Sequence, residues 1–352
     1  MMKIGLHKFL EQAHKFKNLN LGILTHSSAI DWDYEYSLTK ILKAGLKIKR
    51  IFTPEHGFFG VYQYGEEVNE NRIFEIETIS LYGKDFNSLI PKDNQIEDLD
   101  GIIFDIVDIG ARFYTYVWSC ALFLKKAGRM NKKIIILDRP NPINGVDIEG
   151  PTNEITSFVG LYKIPIRHGK TYGEILKMVS EIENIEIILY EVENWDRSKY
   201  IDEIGFPFIM PSPNIPDIKT AIVYPGMCLL EGTNISEGRG TTRPFEIFGA
   251  DFIDPFYMKN FLEIEGAILR PIYFKPNFDK YKDKVCGGFF LHVVNRRKFK
   301  PVESAVKILE TIKKLYPDKF KFREPPYEFE ENIMPIDLLW GSSSLREYLS
   351  KL

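Results

Sequence analysis

Short apolar runs alternate with helix-period segments through roughly the first 190 residues. "LNLGILTH" (19–26), "LKIKRIFTP" (46–54), "LDGIIFDIVD" (99–108), "KKIIILDRP" (132–140) and "IEIILYEV" (185–192) are rich in β-branched residues and bounded by polar or turn residues. That is the pattern of strands buried on both faces. Between them, "YSLTKILKAG" (36–45), "YVWSCALFLKKAG" (116–128) and "TYGEILKMVSEI" (171–182) carry apolar positions at helical spacing, and two of them close in Ala-Gly. Alternation of this kind predicts a doubly wound, mostly parallel α/β sheet. The first strand runs into "LGILTHSSAID" rather than GxGxxG, so the dinucleotide fingerprint is missing and no cofactor is expected.

In such sheets ligands collect beyond the carboxyl ends of the strands, and polar residues fall there repeatedly. Thr25, His26, Ser27 and Ser28 follow the first strand, and Glu55 and His56 the second. Asp105, Asp108, Arg112, Tyr114 and Tyr116 follow the third, and Asp138, Arg139 and Asn141 the fourth. Together they describe one rim of one pocket, although Asp138 and Arg139 serve equally well paired with each other or capping a helix. Past residue 200 the texture changes to a Pro- and Gly-dense stretch, 205–250, in which Glu231, Asn234, Glu237, Arg239 and Arg243 lie close together. These read as structured loops over a site. "GGFFLHVVN" and "PVESAVKILETIKKLYP" then predict a smaller α+β domain. The division expected is 1–200 and 201–352, with an active cleft between the two.

Composition narrows the classes. With 352 residues, 44% hydrophobic, 27% charged and a formal net charge of −3, the chain reads as globular with no electrostatic pull toward nucleic acid or an anionic membrane. Cys120, Cys228 and Cys286 lie far apart without CxxC spacing, which suggests three buried thiols rather than a zinc site or disulfides. The N-terminal "MMKIGLHKFLEQAHKFKNLN" lacks a signal-peptide apolar core, and no stretch is long enough to span a membrane, so a cytoplasmic location is expected unless the sequence has been trimmed. Composition says nothing of oligomeric state.

"TPEHGFFG", "DIVDIGARFYTYVW", "ILDRPNPINGVDIEGP", "SFVGLYKIPIRHGKTYGE", "PSPNIP" and "YPGMCLLEGTNISEGRGTTRPFEIFGA", taken in order, resemble the successive motifs of the NamZ-type exo-β-N-acetylmuramidases, a bacterial family formerly classed as a domain of unknown function. The resemblance runs from about Gly22 to the "IDLLWG" near the C-terminus. It implies a Rossmann-like domain joined to a smaller C-terminal domain. It also implies removal of a single N-acetylmuramic acid from the non-reducing end of peptidoglycan fragments, as in cell wall recycling. Characterised members acting on walls are exported, a point of departure here.

The residues fit that chemistry. Glycoside hydrolysis generally needs an acid to protonate the leaving oxygen and a second carboxylate as nucleophile or base. Glu55, on a turn set by Pro54 and Gly57, is the expected acid, with Phe58 and Phe59 positioned to desolvate it and His56 beside it. Glu66 and Glu237 lead as the second carboxylate, with Asp105, Asp108 and Glu231 also open; substrate-assisted attack by the acetamido group would need only a polarising carboxylate. The lactyl ether of muramic acid carries a carboxylate, so an arginine fork is expected from Arg112, Arg167, Arg239 or Arg243, with Arg112 and Arg239 best placed and structural pairing equally open. Tyr114, Tyr116 and Trp118 offer aromatic faces, at least one of them core. His168, which precedes a "TYGE" capping box, and Asn214 complete the binding candidates. Two rival readings are a metal-dependent hydrolase built on Glu55, His56, Asp105 and Asp108, and a sugar-binding protein without turnover; HExxH is missing and six His in all disfavour the first.

Overall fold

All five residues of β5 (Gly101–Asp105) are buried, as are all but the first of β1 (Asn20–Thr25), which is why both read as unbroken apolar runs. The computed structural model describes residues 2–63, 66, 68 and 70–352. β1 and β5 pair in parallel. Outward from them, β1 pairs with β2 (Lys47–Thr53), β2 with β4 (Ile76–Ser80), β5 with β6 (Lys133–Leu137), and β6 with β9 (Ile188–Tyr190), again all parallel. The short β3 (Arg72–Ile73) adds antiparallel to β4 at one edge. The chain therefore winds from β1 to one side, then returns to β5 and winds to the other. A seven-stranded, doubly wound sheet results, with its topological switch point between β1 and β5.

The helices are held to this sheet by specific pins. Tyr172 opens the helix Tyr172–Glu183, and its buried hydroxyl lies 3.0 and 2.5 Å from the carbonyl oxygens of Phe104 and Leu137. Just before it the predicted capping box forms: the Thr171 hydroxyl accepts from Glu174 N–H, and Glu174 accepts from Thr171 N–H. Several helices escaped the sequence pattern, among them Ile218–Met227, Pro335–Trp340, Ser344–Ser350 and, at the start of the chain, Gly5–Glu11. Seven residues are too few for a stable isolated helix, and this last one persists because Ile4, Leu6 and Phe9 are buried, with Phe9 edge-on to Tyr190.

The chain divides into two compact units. The first comprises Met1–Gly110, Tyr114–Val146 and Gly169–Pro213; the second comprises Ala111–Phe113, Asp147–His168 and Asn214–Leu352. In the second unit β10 (Ile247–Ala250), β12 (Cys286–Val293) and β11 (Ala267–Phe274) form an antiparallel sheet in that spatial order, and β7 (Glu149–Thr152) pairs antiparallel with β8 (Pro165–Arg167). Val302, Ala305, Ile308, Leu309 and Ile312 make the buried stripe of the helix Pro301–Leu315. It lies so close to the helix Ile218–Met227 that a Cβ on Gly226 would sit 1.8 Å from the Pro301 carbonyl oxygen. All three cysteines are buried free thiols.

Arg112 binds the scattered pieces of this second unit together. Its guanidinium donates to the carbonyls of Pro151, Ile164 and Leu339, and its own N–H donates to the carbonyl of Ile166. The expectation that Arg112 presents a fork to a substrate carboxylate is thereby corrected, because the guanidinium is fully buried and engaged with backbone.

Candidate active site

The apolar run of β2 ends in Thr53, and Pro54 to Gly57 then form a tight turn closed by Gly57 N–H to the Pro54 carbonyl at 3.2 Å. His56 takes the third position of that turn with φ +72°, a left-handed conformation that His adopts only at a cost. Gly57 follows at φ +75°, and a Cβ there would meet the Glu70 carboxylate at 2.9 Å. The turn is clamped from both sides. Phe58 N–H donates to Glu70 Oε2 at 2.7 Å, and the Phe58 carbonyl accepts from Ser27 N–H at 2.7 Å, just past the end of β1. Phe58 is buried and Phe59 turns half out into solvent.

Glu55 is held in this frame with only 5% of its surface exposed. Its Oε2 accepts from the Thr115 hydroxyl at 2.9 Å, whereas Oε1 is buried and has no hydrogen-bond partner among the described residues. His56 donates from Nδ1 to the Tyr62 carbonyl at 2.8 Å, which places its proton on that nitrogen. His26, after β1, accepts Val107 N–H on Nε2 at 2.9 Å. Burial first, then the charges of Arg139 and His56, push its pKa down to about 3, so it stands neutral at working pH. Tyr116 lies edge-on to His26, packs tilted against Tyr114 with ring centroids 4.6 Å apart, and donates to the Pro211 carbonyl at 2.6 Å. Tyr116 and Trp118 are both buried, so neither offers an open aromatic face.

Two of the other rim carboxylates of the first unit, Asp105 and Asp138, are consumed by structure. Asp105 accepts from Arg139 Nε at 2.6 Å and from Nη2 at 3.1 Å, and Arg139 also bonds the Ile30 carbonyl and the Ser37 hydroxyl. Asp105 thus belongs to the scaffold and not to the substrate rim expected for it. Asp138 accepts from the Thr171 hydroxyl and from Gly173 N–H, both at 2.9 Å, capping a helix start. Burial pushes its pKa up to about 7. Asp108, nearly buried, takes Gly110 N–H on Oδ2 at 2.8 Å. Glu66 is exposed and accepts Gln63 N–H within its own loop, while its neighbours 64, 65, 67 and 69 lie outside the described residues.

Three of the expected residues, Glu231, Glu237 and Arg239, meet in the second unit, in a buried charge network. Arg239 pairs with Glu231 at 2.8 Å and with Glu237 at 3.5 Å, Tyr327 donates to Glu231 at 2.8 Å, and Lys280 bonds Glu237 at 2.9 Å. Lys280 spends its other donors on the carbonyls of Leu230 and Ile235. Burial raises Glu237; for Glu231 burial is again the largest single effect, but the charge and hydrogen bond of Arg239, the Tyr327 hydrogen bond and the Lys280 charge together outweigh it and hold the pKa low. Two acids and two bases neutralise one another here. Glu231, Glu237 and Arg239, expected in catalytic and binding parts, are thus paired within this network. Asn234 likewise spans the backbone of Lys319 and Lys321 with its carboxamide. Arg167 holds Asp147 at 3.0 Å and Glu149 at 2.7 Å. His168 and Asn214 are buried in the same unit. Arg243 differs from the other forks: its side chain is 41% exposed and its nearest carboxylates, Asp217 and Glu246, stand at 3.4 and 3.7 Å.

Thr115 was not a candidate from sequence. A hydroxyl before a helix signals an N-cap, and nothing in "YTYVW" marks it as a partner of a glutamate sixty residues earlier. Among the described residues no group of three or more His, Cys, Asp or Glu side chains is arranged to hold a metal ion, and no helix is long and apolar enough to cross a membrane.

Comparison with known proteins agrees with the motif order. Residues 21–219 match the family model for the N-terminal region of the exo-beta-N-acetylmuramidase NamZ, and residues 222–351 that for its C-terminal region. The chain is 36% identical over 332 residues to the peptidoglycan beta-N-acetylmuramidase NamZ of Bacillus subtilis (strain 168), across 91% of this chain and 80% of that one. Two DUF1343-family crystal structures from Bacteroides fragilis NCTC 9343 are similar in fold. One has a TM-score of 0.85 at 28% identity, covering 99% of this chain and 91% of that chain. The other has a TM-score of 0.74 at 25% identity, covering 100% and 91%.

Proposed function

The chain belongs to the NamZ exo-β-N-acetylmuramidase family and is a glycoside hydrolase of peptidoglycan; from that premise we propose that Glu55 is the proton donor that releases N-acetylmuramic acid from the non-reducing end of muramyl disaccharides or muropeptides. One observation carries the assignment. Of Glu55, Asp105 and Asp138, at the ends of β2, β5 and β6, the two aspartates have both oxygens bonded, whereas Glu55 keeps a buried oxygen with no partner among the described residues; Asp108, with one oxygen on Gly110 N–H, stays open for the second role. A general acid needs such an oxygen to carry the proton toward the leaving group.

The remaining parts follow by elimination among the residues considered. Glu231 and Glu237 are bound up in their network, which leaves Asp108 and Glu66 as the carboxylates for the second role. Among Arg112, Arg167, Arg239 and Arg243, only the last combines exposure with loose pairing, and we assign it to the lactyl carboxylate. Turnover in the cytoplasm is the proposed setting; cell fractionation decides it.

The test uses a chromogenic β-N-acetylmuramide beside the matching glucosaminide, with wild type and Glu55→Gln, a near-isosteric change. Hydrolysis of the muramide alone, falling by about 10²- to 10⁴-fold in the variant with the thermal midpoint preserved, is the expected result. Equal rates on the two substrates would refute the substrate assignment, and an active variant on an unactivated disaccharide would refute Glu55.

A further inference from the structure

Thr115 stands at the N-cap of the helix Tyr116–Arg129, where a threonine hydroxyl ordinarily accepts from the N–H groups of the first turn. It makes no such bond. Thr171, the same residue type at the N-cap of the Tyr172–Glu183 helix, shows the contrast: it accepts from Glu174 N–H while donating to Asp138. The difference is in the backbone. Thr171 is extended at ψ 160°, while Thr115 is already helical at φ −72° and ψ −12°, which turns its hydroxyl away from the helix start. Thr115 still supplies its carbonyl to the amides of Trp118 and Ser119, so the helix begins there without help from the side chain. The hydroxyl is spent on Glu55 Oε2, at 2.9 Å and out of solvent.

We propose that Thr115 is a positioning residue for the hydrolysis, making the two oxygens of Glu55 inequivalent so that Oε1 delivers the proton; this rests on the assignment of Glu55 as the acid. A hydroxyl donating to Oε2 fixes the carboxyl rotamer and keeps Oε1 as the oxygen that carries hydrogen. In the reaction the Oε1–H bond breaks and its proton joins the glycosidic oxygen as the C1–O bond cleaves, the electron pair of that bond going to the oxygen, while the oxygen of a water, of the second carboxylate or of the substrate's acetamido group supplies the pair for the new bond at C1. Glu55 is left as a carboxylate. The negative charge appears on the group that Thr115 already touches, so its hydrogen bond strengthens as the transition state forms, which is the condition for lowering a barrier. The start of the helix Tyr116–Arg129 brings its positive end to the same place.

The experiment compares Thr115→Val, Thr115→Ser and Glu55→Gln as full-length proteins, reading kcat and kcat/KM on the β-N-acetylmuramide across pH together with the thermal midpoint. Valine keeps the shape and removes the donor to the carboxylate form. The alkaline limb of kcat/KM, where the acid loses its proton, should move up by about one pH unit, and kcat should fall about tenfold with KM little changed. Serine should restore the wild-type limb. A Thr115→Val enzyme with an unmoved limb and kcat within about twofold of wild type, while Glu55→Gln is inactive, overturns the role of Thr115 and leaves Glu55 standing. Should valine prevent folding, a serine variant with a displaced limb overturns it equally. An active Glu55→Gln enzyme instead removes the premise.

Discussion

Arg139 grips Asp105 through two buried hydrogen bonds, Nε to Oδ1 at 2.6 Å and Nη2 to Oδ2 at 3.1 Å, where β5 ends and the chain has just left β6. Removing one partner of such a pair leaves an uncompensated charge inside the protein. Asp105→Asn should therefore destabilise by about 3–5 kcal/mol, measured by chemical denaturation, even though it changes one oxygen to a nitrogen. A variant as stable as wild type would show that the pair does not hold the strand ends.

His26 predicts an acid-side loss of stability. Its native pKa is about 3 against an ordinary 6.5, so between those values the unfolded chain binds a proton that the folded one refuses. Stability is present above pH 6.5 and falls as pH drops through that window, by about 2 kcal/mol between pH 6.5 and 5. His26→Gln keeps an acceptor for Val107 N–H and cannot titrate. Its stability should decline less over that interval by the same amount, and parallel urea-denaturation series at the two pH values read the difference.

In the second unit Glu237→Gln breaks the charge balance with Lys280 and Arg239. The expected outcome is a thermal midpoint lower by several degrees, with kcat within about threefold of wild type. A loss of kcat beyond about a hundredfold at an unchanged midpoint would make Glu237 the second carboxylate after all.

Arg243→Met should lower the ratio of muramide to glucosaminide hydrolysis about tenfold or more, and Arg243→Lys should lower it partway, since lysine keeps the charge and loses the fork. Rates on the two chromogenic substrates give the ratio directly. An unchanged ratio in both variants assigns the lactyl carboxylate to another group.

The sheet was legible because its central strands are buried on both faces, a condition that writes itself into sequence as continuous β-branched runs such as "GIIFD". The helices Tyr116–Arg129 and Tyr172–Glu183 were legible from spacing and, for the second, from its capping box. What escaped depends on contacts between distant residues. The helix Gly5–Glu11 lives on tertiary burial, and β3 is two residues long. At the site, the strand-end rule gathered the right neighbourhood but does not distinguish Glu55, with an oxygen to spare, from Asp105, with none. Both are acids after apolar runs. Only the partner Arg139, thirty-four residues later, separates them. The pairing within the Gly-rich 231–243 stretch was hidden for the same reason: Lys280 and Tyr327, which complete its charge network, come much later in the chain.

The path of the chain through its two units has a consequence for synthesis. The polypeptide enters the second unit at 111–113 and again at 147–168 before settling there from residue 214 onward. As it leaves the ribosome, the first unit has every segment it needs once residue 213 has emerged. Arg112, by then long exposed to the cytosol or a chaperone, must wait for the carbonyl of Leu339, its last partner. At translation rates of about 5–20 residues per second that wait lasts on the order of ten seconds or more. A nascent chain arrested once residue 213 has cleared the exit tunnel should carry a folded sheet with two protease-sensitive orphans threaded out of it, and the boundary between the two family models, close to residue 220, is no place to divide the protein.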